Sequence, residues 1–189
     1  MMEELESLDQ QLFLFLNGLH SEGMDPVMAL ISSKSIWIPL YLVILFSVYR
    51  KYGFKGLAPL VILSFGVMLA FTDLGSVHLF KKVFMRYRPC HNLDLMSMIH
   101  IVDGHCGGKY GFISSHAANT FGLATYFSFL MRKRWIWVSM LTWAAVVSYS
   151  RIYLGVHYPA DILGGLLWGL ASGSFLYFLM SKFVLNRLV

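Results

Sequence analysis

Charge is scarce in this chain. Asp, Glu, Lys and Arg make up 13% of its 189 residues, while hydrophobic residues make up 57%. Soluble globular domains carry about 25% charged residues, so that class is excluded. A basic start is also missing. Glu3, Glu4, Glu6 and Asp9 make the first nine residues acidic, and no cleavable signal peptide is expected. Cysteine is limited to Cys90 and Cys106, both in one polar stretch. The basic residues behind the formal charge of +5 sit in short clusters between apolar runs, the distribution of topology determinants and not of a nucleic-acid surface. What remains is a polytopic membrane protein, a single membrane-embedded domain over residues 1–189.

The apolar runs set the architecture. A helix needs about 20 mostly apolar residues to cross a bilayer, and the runs over 26–50, 57–80, 116–131, 135–154 and 159–183 approach that length. The expected fold is an all-α integral membrane protein, a helical bundle of about five transmembrane helices. Residues 3–20 set Glu3, Glu4, Glu6 and Asp9 against Leu5, Leu8, Leu12, Leu14, Phe15 and Leu16, which suits an amphipathic interfacial helix. Asp25 is expected to cap the next helix, with Pro26 at its first position. Ser32-Ser33-Lys34-Ser35 interrupts that span, leaving either a snorkelling Lys34 or a short helix followed by a span from near Ile36. Asp73 lies inside the second span and should face other helices.

Arg50, Lys51, Lys55, Arg132, Lys133, Arg134, Lys182 and Arg187 fall on one side, cytoplasmic by the positive-inside rule. The other side collects the acidic N-terminus, Lys81 to Pro89, the loop 90–113, Ser114 to His116 and Arg151 to Asp161. Lys82 and Arg86 read as interfacial anchors there, and His20, His78, His91 and His100 as structural residues.

The stretch Arg151 to Asp161 carries ionisable groups where almost everything else is apolar, the mark of a functional site in a membrane protein. His157 and Asp161 are four apart. A helix starting near Pro159 brings the carboxylate to the imidazole, fixes its tautomer and leaves the other ring nitrogen as nucleophile or base. Arg151 adds a fork suited to phosphate oxygens. Ser114, Ser115 and His116 open another helix with hydroxyls and N–H groups, and Lys81 and Arg88 bring two more cations. Together these make an anion site.

These residues closely resemble the three-part signature of the type 2 phosphatidic acid phosphatase superfamily, membrane lipid-phosphate phosphatases related to vanadium haloperoxidases. Lys81, Arg88 and Pro89 match the first part, Ser114 and His116 the second, and Ser150, Arg151, His157 and Asp161 the third; the resemblance covers about residues 57–183. The middle part departs from the usual Pro-Ser-Gly-His, because Ile113 and Ser115 stand where Pro and Gly are usual, which bears on the fit of the turn and on substrate breadth. The resemblance implies that His157 attacks phosphorus to give a phosphohistidine, that Asp161 orients it, and that His116 protonates the leaving oxygen and then activates water. It implies that Lys81, Arg88, Arg151, Ser114 and Ser115 bind the substrate phosphate, with no metal and no cofactor.

The expected partner is a lipid phosphate or diphosphate in the bilayer: undecaprenyl diphosphate, phosphatidylglycerol phosphate or lipid A phosphate. The expected location is a bacterial inner membrane with the site facing the periplasm. A lipid phosphotransferase is the alternative, and a non-enzymatic lipid-binding or transport protein a remoter one. Cys90 and Cys106 in an outer loop suit a disulfide; zinc held with His91 and His105 has an unorthodox spacing. Oligomeric state is not legible.

Overall fold

The computed structural model describes residues 2–53, 57–104 and 106–183, without the side chains of Met2 and Asp103. The described residues are helical and contain no strand, only an isolated bridge between Tyr87 and Tyr110. The helices are α1 (Met2–Asn17), α2 (Asp25–Ser32), α3 (Ile38–Tyr52), α4 (Ala58–Gly75), the short α5 (Lys82–Phe84), α6 (Ser115–Met131), α7 (Arg134–Tyr153) and α8 (Pro159–Phe183).

Helix α1 inverts the pattern of a soluble surface helix. Its inward face carries Asp9, Phe13 and Asn17 at a spacing of four, with Phe13 and Asn17 fully buried, while Leu5, Leu8, Leu12 and Phe15 are exposed. Leucines and Phe15 outward, beside the exposed Glu3, Glu4 and Glu6, suit a helix at the membrane interface. Phe13 meets the edge of the Tyr158 ring at 5.3 Å. Asn17 donates to the carbonyls of Tyr153 (2.8 Å) and His100 (3.0 Å) and accepts from the His100 N–H at 2.8 Å, satisfying otherwise orphaned backbone groups at the end of α7.

The expected Asp25 cap does not form, because Met24 occupies the cap position. The Asp25 carboxylate instead accepts from the Tyr153 hydroxyl at 2.7 Å and meets His100 Nε2 at 3.0 Å. A long-range pair of donors outcompetes the local N–H groups. The polar interruption at Ser32–Ser35 is a true break: α2 and the segment Ser35–Tyr52 are bent by 68°. The freed groups find partners, with the Ile31 carbonyl accepting from Trp37 Nε1 at 2.8 Å and the Ser32 hydroxyl accepting from Arg151.

The centre of the bundle is α6 against α8. Gly165, Gly169 and Gly173 recur every fourth residue along α8, and a Cβ at each would lie 2.6 Å from the carbonyl oxygen of Ser114, Ala118 and Gly122 respectively. Only glycine permits that approach, the small-residue packing that substitutes for hydrophobic drive between helices in lipid. It also brings the N-terminal ends of α6 and α8, with Ser114 and Asp161, side by side. At the opposite end Lys51 donates to the Leu130 carbonyl, and Arg132 reaches the Tyr177 hydroxyl at 3.1 Å, so these basic residues sit away from His157. Lys55 and Arg187 lie outside the described residues.

Five apolar stretches became five long helical segments, yet among the described residues only Ala58–Phe84 and Pro159–Phe183 are individually long and apolar enough to cross a membrane, with a third if the bent pair counts as one span. Helix α6 has 17 residues and buries Ala117, Gly122, Thr125 and Ser128 among its neighbours. A helix enclosed by protein has no need of the hydropathy that lipid demands.

Candidate active site

Two loops and two helix starts meet at one end of the bundle. After α4 the backbone turns through a π-helical segment, Ser76–Lys81; such an insertion changes the face that later side chains take, and Lys81 comes to lie against α6. Met85 then adopts a left-handed conformation (φ 45°), ending α5 and starting the extended stretch to Pro89. That stretch is held by the hydrogen bonds Arg88 N–H to Lys109 O (3.2 Å) and Gly111 N–H to Arg86 O (2.9 Å). A disulfide joins Cys90 to Cys106, with Cα atoms 5.9 Å apart. The bonded sulfurs leave no thiolate for zinc; His105 lies outside the described residues.

Between α7 and α8 the chain turns at Gly155 (φ 76°), where a Cβ would come within 2.6 Å of the His100 carbonyl oxygen. His157 follows, and α8 begins two residues later. His157 Nδ1 lies 3.1 Å from Asp161 Oδ2, with both side chains almost wholly buried. The Arg88 guanidinium lies 3.2 Å from His157 Nε2. A guanidinium only donates, so Nε2 accepts and the ring proton sits on Nδ1, facing the carboxylate. Burial first, then the charges of Arg88, Arg151 and Lys81, holds His157 well below the ordinary histidine pKa, because each disfavours a further positive charge. The ring is neutral, with the Nε2 lone pair directed at the cations.

Asp161 is held in place by donors on both oxygens. Its Oδ2 also accepts from the Tyr158 N–H at 3.1 Å, and Oδ1 meets Arg86 at 3.4 Å, in the first turn of α8 where the helix dipole favours negative charge. Gly111 packs so closely that a Cβ there would lie 2.8 Å from Oδ2. Arg86 is therefore not an interfacial anchor. It bridges Asp161 and Asp9, the latter at 2.7 Å, with its guanidinium 4.2 Å from the centroid of the Tyr158 ring. The second Asp9 oxygen accepts from the Ala160 N–H at 2.8 Å, capping α8 from outside.

Among the described residues, Lys81, Arg88 and Arg151 have no carboxylate within ion-pair distance. The buried Nε–H of both Arg88 and Arg151 finds no acceptor there, so each guanidinium keeps donor capacity for an anion. Arg151 donates to Ser32 through its other arm. Ser114 is buried, its hydroxyl accepting from the Ala117 N–H at 3.4 Å as the cap of α6, and its own N–H bonds to the Asp161 carbonyl at 3.0 Å. Ser115, where the signature usually has glycine, holds the Lys81 ammonium at 2.8 Å and pairs with the Ser76 hydroxyl at 2.6 Å. His116 lines a cavity of 480 Å³ that opens between α2, α4 and α6, within electrostatic range of Arg151 and His157.

All eight expected site residues thus gather at one end of the bundle. Sequence reasoning missed Asp9 and misassigned Arg86. The Asp9–Phe13–Asn17 spacing was the available signal, since it puts one acidic residue on the face that α1 turns inward.

A neutral, oriented histidine beside three unneutralised cations, at the end of an apolar helical bundle, defines a phosphate-handling membrane protein. The PAP2 superfamily model matches residues 60–185. The chain is 37% identical over 183 residues to a lipid A 4'-phosphatase of Bacteroides thetaiotaomicron, covering 96% of this chain and 81% of that protein. It is 28% identical over 164 residues to an undecaprenyl-diphosphatase of Sulfolobus acidocaldarius, covering 84% and 72%. The crystal structure of a PAP2-type phosphatidylglycerolphosphate phosphatase from Bacillus subtilis superposes with a TM-score of 0.71 at 22% identity, covering 95% of this chain and 88% of that one, which shows a common fold. The chain belongs to the PAP2 superfamily.

Proposed function

We propose that this chain is a membrane phosphatase that hydrolyses a lipid phosphate or diphosphate through a phosphohistidine. The observation that carries the reading is the buried His157–Asp161 pair with Arg88 at the opposite ring nitrogen. An entering phosphate draws the Arg88, Arg151 and Lys81 donors onto its oxygens and so frees Nε2 to attack phosphorus. The bond from phosphorus to the leaving oxygen breaks, and His116 supplies the proton that oxygen needs. His116, now neutral, takes a proton from water, whose oxygen attacks the phosphohistidine. Inorganic phosphate leaves, and His157 regains its lone pair. The three fixed cations stabilise the charge on the transferring group throughout.

The whole chain acts as one membrane-embedded domain. Its five long helical segments span the bilayer and α1 lies in the interface. Lys51, Arg132 and Lys133, at the end away from His157, favour a cytoplasmic location for that end and a periplasmic site in a bacterial inner membrane. The similarity to a lipid A 4'-phosphatase favours lipid A as substrate; undecaprenyl diphosphate is the alternative. The test is phosphate release by purified protein from lipid A, polyprenyl diphosphate and phosphatidylglycerol phosphate, without an added acceptor and with His157→Ala as control. Release from at least one lipid, abolished in the variant, is expected. Transfer only to an added lipid would point to a phosphotransferase, and no release from any would overturn the reading.

A further inference from the structure

His116 stands where the active site opens into the 480 Å³ cavity, within the roughly 300–1,000 Å³ range of small-molecule sites. If His116 protonates the leaving oxygen, the group beside it is the one that carried the phosphate. The cavity wall therefore reads the leaving group, whereas the three cations read the phosphate. Its polar lining is of mixed character: Lys34 from the break between α2 and α3, Asp73 from α4, and Asn119 and Thr120 from α6. Asp73 is exposed to this space, with Asn119 Nδ2 at 3.5 Å as its neighbour. Asn119 is itself anchored by the Thr72 hydroxyl, which donates to its side-chain oxygen. Trp37 and Tyr41 add aromatic surface to the same wall.

A carboxylate in that position discriminates. The leaving group of a polyprenyl diphosphate is a second phosphate, which bears negative charge and offers Asp73 no donor. A sugar offers hydroxyl and amide donors that the carboxylate and Asn119 accept or answer, with aromatic rings to stack on. We propose that this cavity is a sugar-binding subsite, with Asp73 as the residue that selects a phosphate carried on a sugar over a phosphate carried on another phosphate. The inference rests on the phosphatase reading above, and names the class of leaving group for that same site. Specificity of this kind comes as much from repulsion of the wrong group as from contacts to the right one.

The test compares kcat/KM of wild type and Asp73→Asn on two micellar substrates, a phosphorylated, acylated glucosamine disaccharide and a polyprenyl diphosphate. Wild type is expected to prefer the glycolipid. Asp73→Asn is expected to lose about tenfold to a hundredfold on the glycolipid, the loss typical of a hydrogen bond to a charged group. On the diphosphate it should gain about tenfold, as a like charge is removed. Asp73 also lies within electrostatic range of Lys81; equal losses on both substrates would mean that it acts through Lys81, and would overturn the proposal. A wild-type preference for the diphosphate would overturn it without any variant. Failure of wild type to release phosphate from either lipid would instead overturn the phosphatase reading beneath it.

Discussion

Asp9 and Arg86 are 77 residues apart in sequence and 2.7 Å apart in space. Through that ion pair the surface helix α1 reaches the carboxylate that orients His157, because Arg86 also meets Asp161 at 3.4 Å. Without Asp9, Arg86 keeps only Asp161 and the more distant Glu6, at 4.0 Å, and the Ala160 N–H at the start of α8 loses its acceptor.

Asp9→Ala should therefore lower kcat by about tenfold, the cost of a misplaced orienting group, with a smaller change in KM, because Lys81, Arg88 and Arg151 are untouched. Loss of the cap should also lower stability by about 1 kcal/mol. Asp9→Glu, which keeps the charge, should recover part of kcat. Steady-state kinetics and thermal unfolding in detergent check both effects; an unchanged kcat with a lowered unfolding midpoint would reduce Asp9 to a structural role.

The α6–α8 seam predicts a steric outcome. At Gly169 a Cβ would lie 2.6 Å from the Ala118 oxygen and 2.8 Å from the Gly122 nitrogen, both backbone atoms. Gly169→Ala should cost about 1–3 kcal/mol as an overpacked core does, and Gly169→Leu should prevent recovery of folded protein. Gly66, inside α4, whose Cβ position meets nothing within 4 Å, serves as the control: Gly66→Ala should leave the unfolding midpoint unchanged or raise it slightly, because alanine favours a helix over glycine by up to about 1 kcal/mol.

Ionisation of His157 gives a third prediction. Burial and three neighbouring cations disfavour its charged form, so its folded-state pKa lies below the unfolded value of about 6.5. The ring therefore stays neutral as pH falls through 6.5, where an ordinary histidine is half charged. Side-chain nitrogen shifts of ¹⁵N-histidine protein, assigned with His157→Gln, should show a neutral ring with the proton on Nδ1 at pH 6.5. A half-protonated His157 signal at that pH would contradict the arrangement.

The bond between Cys90 and Cys106 closes the loop that follows Arg88 and Pro89. A closed loop of this length contributes roughly 3 kcal/mol in the chain-entropy model. Reduction, or Cys106→Ser, should lower the unfolding midpoint and raise KM more than it lowers kcat, because Arg88 loses the support of the loop while the His157–Asp161 pair keeps its own helix. Kinetics with and without a membrane-permeant reductant check this.

Much of this architecture was legible in the sequence. Helix α8 starts and ends at the expected residues, and α6 and α7 each start within one residue of expectation, since apolar runs bounded by charge and by Pro159 leave little freedom. The residues that meet at this end of the bundle could be picked out because they lie in three short stretches. Partnerships between distant polar groups were not. Arg86 and Arg88 differ by two positions in an extended stretch, and nothing local says that one serves Asp161 and the other His157. Asp25 carries every local mark of a helix cap, yet Tyr153 and His100 claim it. The bend between α2 and α3 was visible only as a choice between alternatives, because it depends on Arg151, on another helix, donating to Ser32.

Phosphorylation of His157 is open to direct test. The direct measurement is rapid quenching of a single turnover with ³²P-labelled lipid phosphate, followed by peptide mapping. A transient label that is acid-labile and stable to alkali is expected on the peptide containing His157. In His116→Ala both its formation and its decay should slow, and in His157→Ala it should be absent. A label on any other residue, or phosphate release by His157→Ala at the wild-type rate, would contradict it.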